Sequence, residues 1–213
     1  YVICNGDLMN NATKSSVSDC YAENIPPMEQ IATVSNLLAP IKDKIIMLTQ
    51  GNHEARTYRD DGIDLTYLVA KQLGIADRYT RNGGLIFFRF DNNTIGKSIR
   101  HGNKLCYIIY AIHGSGGGRK EGAKAIRLAD MASIVDADIY IHSHTHLPMV
   151  MKEAYYRVSP ANSSVAKVDK LFVNTSAKLD YGGYGQMYEF KPSSTANPVI
   201  FLSGKRKEFT AKL

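Results

Sequence analysis

Imidazole, carboxylate and amide side chains gather just after the apolar runs of this sequence. His53 follows the run 45–48, His113 follows the run 107–112, and His142, His144 and His146 follow the run 138–141. Asp7 stands in the same relation to Val2-Ile3-Cys4, and Asn52 precedes His53. Short, wholly apolar runs ending in polar and glycine residues read as strands buried on both faces. Open α/β sheets bind ligands beyond the carboxyl ends of such strands. These separated segments are therefore expected to aim oxygen and nitrogen donors at one edge of one sheet, as a metal site assembled from distant residues requires.

The donor types narrow the metal. Imidazole, carboxylate and amide oxygen without a thiolate suit Mn, Fe, Zn or Ni, and they argue against a cysteine-based structural zinc. A carboxylate such as Asp7 is able to bridge two ions, giving the pair roughly 3.5–4 Å apart that serves in-line displacement at phosphorus. The chemistry indicated is catalytic rather than structural.

The elements that must hold these donors follow from apolar spacing. Pro26-Pro27 followed by Met28, Ile31, Ala32, Val34, Leu37 and Leu38 predicts a helix over 27–39. Ile63, Tyr67, Leu68, Ala70 and Leu73 predict a second, stopping at Gly74. Ala123, Ile126, Leu128, Met131 and Ile134 predict a third after the glycine-rich stretch 114–118. Strands are expected at 1–4, 45–48, 85–90, 105–112, 138–141, 171–174, 186–190 and 199–202, and Tyr181-Gly182-Gly183-Tyr184 reads as a hairpin turn. Strands alternating with helices early and following one another late indicate an α/β sandwich with some antiparallel pairing.

Composition sets the outer bounds. The chain has 213 residues, 44% of them hydrophobic and 22% charged, which is enough for one globular domain over 1–213. Its longest apolar runs fall far short of the roughly 18 residues of a membrane-spanning helix, so no membrane role is expected. Cys4, Cys20 and Cys106 form no C-x-x-C pair and read as reduced thiols of a cytoplasmic protein. A net charge of +6, without an extended Lys/Arg stripe, leaves nucleic acid open as a partner. Oligomeric state is not legible. The opening Tyr1-Val2-Ile3-Cys4 reads as the tail of a strand, so the chain is expected to be an excerpt lacking an upstream strand and helix.

Gly6-Asp7-Leu8-Met9-Asn10, Gly51-Asn52-His53-Glu54, His113-Gly114 and Ser143-His144-Thr145-His146 stand in this order along the chain. They resemble the ordered blocks G-D-x-x-D/N, G-N-H-D/E, H-G and G-H-x-H of the calcineurin-like metallophosphoesterases. The resemblance implies a four-layer αββα sandwich, two mixed β-sheets flanked by helices. It implies a centre of two divalent metal ions, Mn favoured, that hydrolyses a phosphate monoester or diester with a bridging hydroxide as nucleophile. Carried over residue by residue, it makes Asp7 the bridging carboxylate, completes one site with Asn52, His113 and His144, and gives His146 to the other. His53 would bind no metal; it would face the phosphate as the catalytic group, stabilising charge and protonating the leaving oxygen.

The departures from that pattern carry expectations too. An Asp-x-His block that would precede Gly6 has no counterpart, so one metal site is expected to be incomplete. Asn10 stands where a carboxylate often orients the catalytic histidine, and Ser143 replaces a glycine. Arg56, Arg119 and Lys120 are the candidates for touching substrate phosphate; Arg59 is a further solvated or phosphate-facing charge. His142 is expected to pack beside the ligands or hydrogen-bond to them, and His101 to be solvated. The rival reading is a non-catalytic binding module of the same fold in which one metal site has degraded.

Overall fold

Caps and apolar spacing set where the helices run. The structure is a computed structural model that describes every residue except 15, 17–19, 91–104, 119, 179–185 and 187–188. Helix α1 spans Pro27–Leu38 with proline in its first turn, where the missing N–H has no intrahelical partner to lose. Helix α2 spans Glu54–Asp61, and α3 spans Leu65–Gln72. The α3 start is capped by Asp64, whose carboxylate accepts the Tyr67 N–H at 3.0 Å, and Gly74 follows its end at φ +73°. Helix α4, Glu121–Asp130, runs on into a 3-10 turn at Met131–Ser133.

Among the described residues the strands form three sheets. Strands β1 (Val2–Asn5) and β2 (Ile45–Thr49) pair in parallel. A five-stranded mixed sheet contains β3 (Gly84–Phe90), β4 (Leu105–Ile112), β5 (Ile139–His142), β6 (Met149–Ser159) and β7 (Ser164–Asn174), in the order β3-β4-β5-β7-β6. Its central strands β4, β5 and β7 are parallel, and its edges β3 and β6 are antiparallel to their neighbours. Strands β8 (Val199–Leu202) and β9 (Phe209–Lys212) form a separate antiparallel pair. The chain is thus a mixed α/β protein.

Side-chain alternation of period two decides what each sheet face covers. Tyr107, Ile109 and Ala111 of β4, Ile139 and Ile141 of β5, and Leu171 and Val173 of β7 share a core with Ile3, Met47 and the β8–β9 pair. Their neighbours Ile108, Tyr110, Tyr140 and Phe172 point the other way, onto Leu128 and Met131. On the far side of β1–β2, Ile45 and Leu48 pack against Ile31, Leu65 and Val69 of α1 and α3. Ile45 and Leu48 have no exposed surface, and burial of each contributes about 1.5–3 kcal/mol.

The expected elements at 27–39, 45–48, 85–90, 105–112, 138–141 and 199–202 are present within one or two residues. Three expectations change. The donors' strands belong to two sheets, β1–β2 and the five-stranded sheet, and not to one. The strand at 171–174 is the buried end of an 11-residue β7 that forms a long hairpin with the unanticipated β6. The strand expected at 186–190 is not formed by its described residues; Glu189 lies in a turn at φ +53°. The hairpin turn read at 181–184 and His101 lie outside the described residues.

Candidate metal centre

Each donor leaves the carboxyl end of a strand. Asp7 follows β1, Asn52 and His53 follow β2, His113 follows β4, and His144 and His146 follow β5. Ile3 of β1 and Met47 of β2 share a core with β4, β5 and β7 of the five-stranded sheet. Asn5 joins the two sheets: its amide donates to the Ile112 carbonyl at 2.6 Å and to Ser143 Oγ at 2.8 Å.

Four donor atoms converge there. His113 Nε2 lies 3.3 Å from Asp7 Oδ2 and 3.0 Å from Asn52 Oδ1, and Asn52 Oδ1 lies 2.7 Å from His144 Nδ1. The Asp7, His113 and His144 ligand atoms all fall within 4.8 Å of one another. On the opposite side of the His113 ring, Nδ1 is 2.8 Å from the Asn5 carbonyl oxygen. A carbonyl only accepts, so Nδ1 carries the hydrogen and Nε2 of the neutral ring turns a lone pair toward the oxygens of Asp7 and Asn52. Lone pairs collected in this way are relieved by a cation. The donor set of one carboxylate, one amide oxygen and two imidazoles fits a borderline divalent ion.

The backbone is bent to serve this geometry. Asp7, His144 and His146 have φ of +53°, +58° and +56°, in the left-handed region that non-glycine residues rarely enter. A Cβ at Gly51 would overlap Asp7 Oδ1 and N, so only glycine lets the two loops approach this closely.

Electrostatics follow from the contacts. Burial opposes ionisation of Asp7, yet the His113 hydrogen bond and the charges of His113 and His53 outweigh it and hold its carboxyl at about 2. Burial likewise works against the charged His113, but its hydrogen bond and charge pairing with Asp7 raise it above the ordinary imidazole value. His144 and His146 are lowered, chiefly by burial. His53 is lowered by burial and by Arg56, against the pull of Asp7.

His53 lies beside the donors and outside their cluster. Its Nδ1 is 2.9 Å from the Asn10 carbonyl, which fixes the hydrogen there and leaves Nε2 3.9 Å from Asp7 Oδ2. The part expected of the Asn10 amide thus falls to its backbone; the side chain donates instead to Glu23 Oε1 at 2.8 Å. Arg56 Nη1 donates to the same Asn10 carbonyl at 3.1 Å and to the Asn11 carbonyl at 3.3 Å, bracing the loop that orients His53. Lys120 is exposed at the start of α4, and Arg119 lies outside the described residues. His146 is half-buried but is not in the converging group. His142 is buried and bonded through Nδ1 to Asn174 Oδ1 at 3.0 Å, in the supporting position expected of it.

Sequence reasoning missed the supports. Glu54 is fully buried and accepts three backbone N–H groups, from Asp7 at 3.1 Å, Met9 at 3.0 Å and Gly51 at 2.9 Å. Burial and the nearby Asp7 raise its carboxyl, and those N–H groups oppose the rise. Asn11, also fully buried, donates to the His53 carbonyl at 2.8 Å and to Thr57 Oγ1 at 2.9 Å. The only forewarning of Glu54 was its place inside the Gly51-Asn52-His53-Glu54 block; Asn11 reads as an ordinary turn residue.

Comparison of the chain with protein-family models, with curated proteins and with solved structures finds no match. No described helix is long and apolar enough to cross a membrane.

Proposed function

We propose that this protein is a metal-dependent phosphoesterase. The observation that carries the reading is the convergence of Asp7 Oδ2, Asn52 Oδ1, His113 Nε2 and His144 Nδ1 beside His53. The order of layers, α1 and α3 over β1–β2, then the five-stranded sheet, then α4, supports the sandwich that the resemblance implies. Asp7, Asn52, His113 and His144 would hold one divalent ion, with His146 available to a second. Bound ions would supply Lewis-acid polarisation of the phosphoryl oxygens and an acidified water.

The chain's own contribution centres on His53. The Asn10 carbonyl holds hydrogen on Nδ1, so Nε2 is the atom that receives and delivers the catalytic proton. In hydrolysis a water oxygen bonds to phosphorus and gives up a proton to solvent, the P–O ester bond breaks, and the proton on His53 Nε2 passes to the leaving oxygen and is then replaced from solvent. The lowered basicity of His53 makes its protonated form a ready donor, and an arriving phosphate restores the positive form by adding negative charge nearby. Asp7 stays ionised throughout the neutral range.

A second reading, a binding module with one degraded metal site, draws on the placement of His146 outside the converging group. One experiment separates them: hydrolysis of p-nitrophenyl phosphate and of bis(p-nitrophenyl) phosphate with Mn(II) present, alongside metal content after dialysis. The phosphoesterase reading expects turnover of at least one ester and loss of bound metal in Asp7→Asn and His144→Ala. No turnover of either ester by metal-loaded protein favours the binding module, and metal content unchanged in both variants overturns the site.

A further inference from the structure

A cavity of about 180 Å³ opens beside His144 and His146, lined by Gly116–118, Lys124, Arg127 and the intervening Thr145. Lys124 and Arg127 are three residues apart on α4 and so share one face of the helix. Among the described residues neither has a carboxylate within ion-pair distance. Glu121, one turn before Lys124, gives its carboxylate to Lys191 at 2.9 Å. Among the described residues no acidic side chain lines the cavity. Its other wall is glycine backbone pressed close to α4: a Cβ on Gly116 would stand 3.3 Å from Arg127 Nε, and one on Gly118 would stand 2.8 Å from the Ala123 Cβ. A concave space flanked by two cations, with glycine backbone opposite and no carboxylate among its described lining residues, suits an anion.

We infer that this cavity binds a phosphate group of the substrate other than the one hydrolysed. The inference rests on the phosphoesterase reading for its substrate and goes beyond it by naming a substrate with two phosphates close together. Thr145, which lines the cavity, is the chain neighbour of the candidate ligand His144 and of His146. The second phosphate comes either from the next nucleotide of a polynucleotide chain or from the neighbouring phosphate of a nucleoside polyphosphate.

The test is titration calorimetry of the full chain with inorganic phosphate, in EDTA and again with Mn(II), for the wild type and for Lys124→Gln/Arg127→Gln. Glutamine keeps helix propensity, and circular dichroism checks the fold. Phosphate binding that persists in EDTA and weakens at least about tenfold in the double variant supports the subsite, as loss of charge-assisted hydrogen bonds requires. Binding absent in EDTA, or unchanged in the double variant, overturns it. The subsite further expects the ratio of kcat/KM for a two-phosphate substrate to that for p-nitrophenyl phosphate to fall about tenfold in the double variant. Running the series with 5′-phosphorylated dithymidylate and with a nucleoside diphosphate identifies the source of the second phosphate. Absence of all hydrolysis with phosphate binding intact would remove the phosphoesterase reading and leave the cavity as a phosphate site without a hydrolytic role, whereas loss of phosphate binding with hydrolysis intact would remove the cavity alone, so the two failures are distinct.

Discussion

His113 Nε2 sits 3.0 Å from Asn52 Oδ1, although its other ring nitrogen already holds its hydrogen against the Asn5 carbonyl. The pair is attractive only when the ring takes a second proton or when a cation lies between the two atoms. A proton and a divalent ion would therefore compete for one place, and that competition would set the sign of several measurements.

Without metal, the Asp7–His113 ion pair stabilises the fold. His113 is raised in the folded state, so its contribution is fully present below the unfolded imidazole value and is lost as pH rises through the raised one. Asp7 is depressed to about 2, so its contribution is present above the unfolded carboxylate value and is lost as pH falls toward that figure. With metal the dependence on His113 reverses, because ligation requires the neutral ring. Thermal melts in EDTA should show Tm falling as pH is raised through the His113 value, and the increment in Tm produced by Mn(II) should grow over the same span. An increment independent of pH would remove His113 from the ligand set.

His53→Ala should lower kcat by about 10² to 10⁴, the range associated with a positioned proton donor, while bound metal stays at the wild-type level. Elemental analysis beside steady-state kinetics separates the two effects. Equal loss of metal would make His53 a ligand.

Glu54→Gln should destabilise the protein by about 1–3 kcal/mol in urea titration and weaken metal binding about 10- to 100-fold. Oε1 and Oε2 of Glu54 both accept backbone N–H groups in a site with no exposed surface, and a glutamine amide would turn N–H against N–H at one of them. A neutral effect on both measurements would mean that the Asp7 loop holds its shape without this carboxylate.

What the sequence made legible was local. The unbroken apolar run of β4 reads as a buried strand because it is covered on both faces, by Met47 and Phe209 on one and by Leu128 and Met131 on the other. The convergence of Asp7, Asn52, His113 and His144 was legible because each stands just after a short apolar run. The outer half of the β6–β7 hairpin was not legible, since Tyr156, Val158 and the facing Val165 are exposed and cover no core. Its pairing is supported by contacts such as Lys152 to Asp169 at 3.0 Å, which no local pattern announces. The supporting bonds of Asn5, Asn11 and Glu54 were likewise hidden, because asparagine and glutamate carry the same signature in a solvated turn as in a buried one.

The division of the donors between two sheets has a consequence for folding. Asp7 and Asn52 arrive with β1–β2, His113 and His144 with the five-stranded sheet, and Asn5 meets Ile112 across 107 residues of chain. Neither sheet holds a complete set, so the centre comes into being only after the two have docked. A cation bound there acts as a rivet: at a free concentration of 100 times its Kd it adds about 2.7 kcal/mol to the docked state and nothing to a chain whose sheets stand apart. If the centre holds such an ion, the supply of free metal would then govern how often the seam between the sheets opens.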